Sequence, residues 1–267
     1  MVCLVDLIYS RRCSSVFVNK FIQKGTSIMA DSAFITKTDP FGLTGTGKCL
    51  ALASVADGKS ASVAEATDDK GDVAAYHVYG ETYAPSYEYK VKAAGTVVLP
   101  ALGAPVSGTI QGDTVQIIPA SITINTSAGG ETSVSISAES APATANGCAY
   151  VYASESVALG VCQHAKILFS AFEIGGAGCY LQSANYTLSC NVEKATVDGE
   201  CVAFGVTGGK IEATVEIVQT GSASPTLTPG SGWVVTSPLA CSNPDADFPT
   251  WSATLTKYLS AAIPSQS

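Results

Sequence analysis

Apolar and polar residues alternate with a period of two in several short stretches of this chain. In "YEYKVKA" (87–93), Tyr87, Tyr89, Val91 and Ala93 fall on one side, and Glu88, Lys90 and Lys92 on the other. In "IEATVEI" (211–217), Ile211, Ala213, Val215 and Ile217 oppose Glu212, Thr214 and Glu216. Both read as strands with one wet face. "SVSIS" (133–137) and "SATLT" (252–256) show the same phase, Val134 and Ile136 matching Ala253 and Leu255. Turn chemistry separates the alternating runs at Asp69-Lys70-Gly71 and Asp198-Gly199, where an Asp-Gly pair supplies the positive φ of a tight hairpin turn. The stretch "SVALGVCQHAKILFSAFE" (156–173) is too densely apolar to show one face, and fits a buried strand as well as a helix. No pattern predicts a helix longer than a few turns. The expected class is all-β.

The pattern repeats. "SVAEATDDKGDVAAYHVYG" (62–80) aligns with "NVEKATVDGECVAFGVTG" (191–208) when Lys70 is skipped, with eight identities in eighteen positions. Chance gives about one or two at ordinary residue usage. The pairs are Val63/Val192, Ala66/Ala195, Thr67/Thr196, Asp69/Asp198, Gly71/Gly199, Ala75/Ala203, Val78/Val206 and Gly80/Gly208. The alternating runs extend the match, 87–93 to 211–217 and 133–137 to 252–256. This predicts two similar tandem β-sandwich or barrel domains from an internal duplication. Copy one is placed at 44–140 and copy two at 173–267, with a connector over 141–172 and a leader and arm over 1–43. The Gly-, Pro- and Thr-rich stretches 94–120 and 219–240 read as loops, and "TVVLPAL" (96–102) as an apolar loop available for subunit contact.

Composition narrows the picture. Charged residues are only 13% and apolar residues 46%, which suits strands with small polar outer faces better than amphipathic helices. The formal net charge is -8 with no basic stripe, so gripping phosphates by counterion release is not expected. No run of 18 apolar residues occurs, and no membrane-spanning helix is expected. Residues 1–28 differ from the rest, with Arg11, Arg12, Lys20 and Lys24 against Asp6 alone. Their apolar runs are too short for a secretory signal; a transit peptide is the second possibility. Lys24-Gly25 is encodable by a purine run that pairs with bacterial ribosomal RNA, three codons before Met29. That spacing predicts Met29 as the natural start.

Candidate chemistry is thin. Gly42, four residues, then Gly47-Lys48 has the spacing of a phosphate-binding loop, but such a loop needs a buried strand before it and a helix after it. Pro40 breaks the strand, and Cys49 replaces the Ser or Thr that ligates magnesium. A Gly/Thr-rich entry loop is expected instead. The two histidines, His77 and His164, lie far apart in sequence, and no GxSxG elbow surrounds any serine, Ser231 of "PGSGW" included. Cys190 and Cys201 flank the second hairpin and could face each other across it, but two thiols do not make a zinc site. Asp68, Asp69 and Asp72 read as turn residues rather than a calcium loop. Beyond the leader, Cys49, Cys148, Cys162, Cys179, Cys190, Cys201 and Cys241 read as reduced, buried thiols. Asn125 and Asn185 begin glycosylation sequons that matter only on export. The expectation is no catalytic, cofactor-binding or metal residue.

"LQSANYTLSCNVEKATVDGECVAFGVTGGKIEATVEI" (181–217) and "SNPDADFPTWSATLTKYL" (242–259) resemble structural proteins of bacteriophage tails, especially the tail-tube class of tubes and baseplate hubs. Unlike single-domain tube proteins, this chain carries its pattern twice, as tail-hub proteins do. The resemblance implies a β-sandwich or barrel that forms rings around a DNA channel, without catalytic residues. A homo-oligomer follows, a trimer if two domains mimic sixfold symmetry and a hexamer otherwise. The other tail proteins are its partners, DNA passes without specific binding, and the location is the virion. The alternative is an exported Ig-like surface module, an adhesin or carbohydrate-binding protein.

Overall fold

In the computed structural model, residues 38–127, 130–147, 151–161, 165–244 and 247–262 are described. All regular structure among them is β. The first half holds β1 (Leu50–Ala56), β2 (Lys59–Thr67), β3 (Val73–Tyr83), β4 (Ser86–Val91), β5 (Gly95–Val98), β6 (Val106–Ile110), β7 (Asp113–Ser127) and β8 (Ser133–Pro142). Two short strands follow, β9 (Val151–Tyr152) and β10 (Ser156–Leu159). The second half holds β11 (Phe172–Gly175), β12 (Cys179–Val197), β13 (Glu200–Gln219), β14 (Thr226–Pro229), β15 (Val234–Cys241), β16 (Thr250–Tyr258) and β17 (Ala261–Ala262).

The main sheet runs β1-β4-β8-β7-β12-β13-β16-β15, with β6 added on β7. Every pairing in it is antiparallel. The boundary between the two expected copies does not interrupt it, because β7 pairs with β12 from Ser121↔Ser189 to Ser127↔Ser183. Four two-stranded pieces flank this sheet: β2-β3, β5-β10, β11-β14 and β9-β17.

Alternation sorts the sheet into two faces. Tyr87, Tyr89, Ile122, Ile124, Val134 and Ile136 from the first half are buried, as are Tyr186, Leu188, Ile211, Val215 and Leu255 from the second. These belong to one continuous core that crosses the β7–β12 junction. The opposite face carries Glu88, Thr123, Ser135, Thr187, Glu212, Thr214 and Glu216, all half-buried or exposed.

Two sequence expectations change. The stretches 94–120 and 219–240 contain β5, β6, the start of β7, β14 and most of β15 rather than loops alone. In "TVVLPAL", Val97, Leu99 and Leu102 are buried in the chain's own core, because β5 turns that side inward against β10. Within 156–173 the described residues hold β10 and the start of β11, the strand reading of the two that the pattern allowed. The proposed start at Met29 lies outside the described residues.

Candidate assembly interface

The two halves of the main sheet are built alike. The first half gives the order β1-β4-β8-β7; the second gives β12-β13-β16-β15. Their irregularities coincide as well. A bulge interrupts β1–β4 between Leu52 and Ser54, and β12–β13 between Leu181 and Ser183. At both, the serine hydroxyl donates to a glutamate across the pair: Ser54 Oγ to Glu88 Oε2 at 3.1 Å, and Ser183 Oγ to Glu216 Oε2 at 3.1 Å. The hairpins shift register between Ser60 and Ser62 in one and Ser189 and Asn191 in the other, then again at Ala66/Thr67 and Ala195/Thr196. A fourth bulge lies between Pro119 and Ser121 of β7, and between Val235 and Ser237 of β15. A bulge needs one extra residue at a set place; these four match between the halves, while β15–β16 has one more, between Ser237 and Ala240, that β7–β8 lacks.

That correspondence corrects two alignments made on alternation. Glu88 matches Glu216, so Tyr87 matches Val215 and not Ile211. Ile136 lies opposite Tyr87 and Ala253 opposite Val215, so Ile136 matches Ala253 and not Leu255. Slips of four and two residues leave every side chain on its own face, and alternation alone cannot detect them. The hairpin alignment stands in the observed register: Ala66↔Ala75 matches Ala195↔Ala203. Gly71 and Gly199 have φ of 85° and 83°, and Gly80 and Gly208 have 62° and 67°.

The hairpins differ in what they touch. In the second half, β12 and β13 run unbroken from the main sheet into the hairpin, which lies against β7 and β8 of the first half. Phe204 packs with Ile118, Ala141 and Ala145 in a separate buried cluster. Lys194 Nζ bonds Glu139 Oε2 at 2.7 Å, and the backbone of Asn146 bonds that of Val202 and Phe204 at 2.9 and 3.1 Å. A Cβ on Gly103 would meet Val206 at 2.7 Å, so glycine permits the close approach there. In the first half, Asp57-Gly58 and Ala84-Pro85 break the strands, and β2-β3 stands as its own ribbon. All nine residues of β2 are exposed.

The outer edges of the main sheet are β1 and β15. Among the described residues no strand covers them; Thr44 bridges only Leu50, at the first residue of β1. β15 is exposed along most of its length. The polar face offers little to a phosphate. Lys90 and Lys210 lie on Glu131 and Glu212.

The residues with candidate chemistry are dispersed. Gly42, Gly47 and Lys48 lie in a loop that enters strand β1, not a helix. Lys48 and Cys49 line a groove of about 650 Å³ with Phe41, Leu43 and residues 93–101, whose side chains are mostly small and apolar. The loop is ordered by Asp39, whose carboxylate accepts from the backbone N–H of Phe41 and Thr44 and from the Tyr89 hydroxyl. Asp68 Oδ1 accepts from the N–H of Lys70 and Asp72, both at 2.9 Å, and so serves the hairpin turn. Cys190 and Cys201 do not face each other: Cys201 is opposite Thr196, and Cys190 sits in a bulge, buried, its thiol 3.8 Å from the Pro119 carbonyl. Burial pushes that thiol up to about 11. Cys49, Cys179, Cys190, Cys201 and Cys241 are free. Asn125 and Asn185 are direct partners across β7–β12. His77 lies in β3; His164, Cys148 and Cys162 fall outside the described residues. Among the described residues, no three of His, Cys, Asp and Glu gather as a metal site, and no helix is long and apolar enough to cross a membrane.

No protein-family model matches the chain, and a comparison with curated proteins finds no relative.

Proposed function

We propose that this chain is a structural subunit of a bacteriophage tail, a tube or baseplate-hub component that assembles into a ring around a DNA channel. Its two halves descend from one duplicated β-unit, covering 44–140 and 173–267. The observation that carries the reading is the β7–β12 junction, where two four-stranded runs of the same order meet edge to edge. A unit that pairs edge to edge with its own copy is the building block of a ring, and an open edge is otherwise an aggregation hazard. The polar face supports a channel wall. Glu88 and Glu216 hold their serine partners there, and Lys90 and Lys210 are paired with carboxylates. With a net charge of -8, such a wall lets a polyanion slide rather than bind.

Negative-stain imaging of the purified protein tests this, together with antibody labelling of the particles it comes from. Rings of three or six subunits and label on tails are the expected results. A monodisperse monomer and label on a cell surface would instead favour an exported binding module.

A further inference from the structure

We infer that a second copy of this chain docks against β15 and β16 by the same contact that the second half makes on the first. In that contact residues 54–60 of one copy, the end of β1 and the start of β2, lie opposite residues 237–244 of the other, the end of β15 and the turn after it, and the β2-β3 ribbon packs across β15 and β16. The inference deepens the self-assembly part of the proposed function and does not depend on the virion part.

Each element of the internal junction has a counterpart at the ends of the sheet, where among the described residues no strand covers β1 or β15. Inside the chain, β12 pairs with β7, and its hairpin covers β7 and β8. The repeated bulges make β1-β2 the counterpart of β12, and β15-β16 the counterpart of β7-β8. These are the two ends of the sheet.

The side chains agree. Phe204, Ile118 and Ala141 form the buried hairpin cluster, at 4%, 0% and 2% exposure. Tyr76 is the counterpart of Phe204, since Ala75 matches Ala203. Val234 is the counterpart of Ile118, and Tyr258 of Ala141, by the β15–β16 register. These three are large apolar or aromatic residues at 38%, 49% and 70% exposure. So positions buried at the internal junction have more exposed counterparts at the ends. A second copy gives the exposed β2 side of the ribbon the cover that β7 and β8 give its twin. The register transfers too: Ser189↔Ser121 and Asn185↔Asn125 set Ser60 opposite Ser237 and Ala56 opposite Ser242 of the second copy. Thr44 does not obstruct this, because it bridges Leu50 and the transferred pairing begins at Ser54.

The contact is head-to-tail, which a mixing experiment exploits. Tyr76→Glu spoils the ribbon and leaves the acceptor intact; Tyr258→Glu does the reverse. Circular dichroism and thermal melting of each variant check that it keeps its fold. By sedimentation, the unaltered protein is expected as a closed oligomer and each variant alone as a monomer, association being weakened roughly thirtyfold or more. An equimolar mixture is expected to give a one-to-one dimer and nothing larger, since only one good contact is available. Folded variants that keep the full oligomer, or a mixture that stays monomeric, would overturn the contact. An oligomer that behaves as expected but is missing from tail particles would leave the contact standing and remove the virion reading. If glutamate unfolds either variant, Tyr76→Ser and Tyr258→Ser answer the same question.

Discussion

Buried tyrosines anchor this core through their hydroxyls. Tyr186 donates to the Lys166 carbonyl and accepts from the Leu168 N–H, both at 2.9 Å, and Tyr89 donates to Asp39 at 2.9 Å. Burial pushes Tyr186 up to about 12; burial first, then Asp39 and Asp57, pushes Tyr87 up to about 12; and Tyr89 moves the same way. A phenol that holds its proton longer folded than unfolded stabilises the fold below the unfolded pKa, near 10. That contribution is lost as pH rises through the folded value. The melting temperature is therefore expected to fall steadily between about pH 10 and pH 12. Tyr186→Phe should flatten part of that slope, a term on the order of 2 kcal/mol. Thermal scans at stepped pH measure it, and a flat profile to pH 12 contradicts it. Cys190 gives a second expectation: with its thiol raised to about 11 by burial, it should react with a disulfide reagent at pH 8 far more slowly than the half-buried Cys179 and Cys241. Peptide mapping after timed labelling reads this directly. Alternation in the sequence identifies Tyr87 and Tyr89 as inward residues. The hydrogen bonds that anchor Tyr89 and Tyr186 come from Asp39 and from Lys166 and Leu168, which no local pattern connects to them.

At the scale of elements, the hairpins were the most readable part of the chain. Asp-Gly turns and eight identities locate them, and both form where the sequence places them. The strands that follow were matched two to four residues out of register, because a period-two pattern carries no absolute position. Bulges carry it, and a bulge is a backbone event that sequence alternation hides. The unequal fate of the hairpins was also hidden, since it depends on what lies beneath each. This inequality predicts unequal costs. Phe204→Ala removes the side chain that seats the second hairpin on Ile118 and Ala141, and should cost about 3–4 kcal/mol. It should also open the 197–202 turn to limited proteolysis. The same change at the more exposed Tyr76 should cost a lone subunit less than that. Chemical denaturation of the two variants compares them; equal losses would mean that the ribbon is seated on something of its own.

For the whole molecule, the sequence predicted an all-β protein with a repeated pattern, and the repeat was read as two tandem domains. Repeated sequence reports repeated local structure. Whether two units stand apart or merge depends on their edges, and Ser121 to Ser127 look no different from any polar-faced strand. The balance of charge was legible throughout. With few basic residues and Lys90 and Lys210 on carboxylates, the protein should not retain duplex DNA at 150 mM salt, where nonspecific binding by basic proteins has Kd values of roughly 10⁻⁴–10⁻⁶ M. A gel-shift titration into the micromolar range checks this, and a salt-sensitive shift would argue against a sliding surface.

The β7–β12 junction is closed by peptide bonds through the 143–178 segment, so dilution cannot separate its two sides. Any ring made from such chains contains an even number of units, and half of its seams form without a collision between molecules. Those seams obey the kinetics of folding, while the others obey mass action. The two sets are also encoded by different residues. The outer seam can be strengthened, weakened or made dependent on another protein while the inner one stays fixed, a freedom denied to a ring of identical single units.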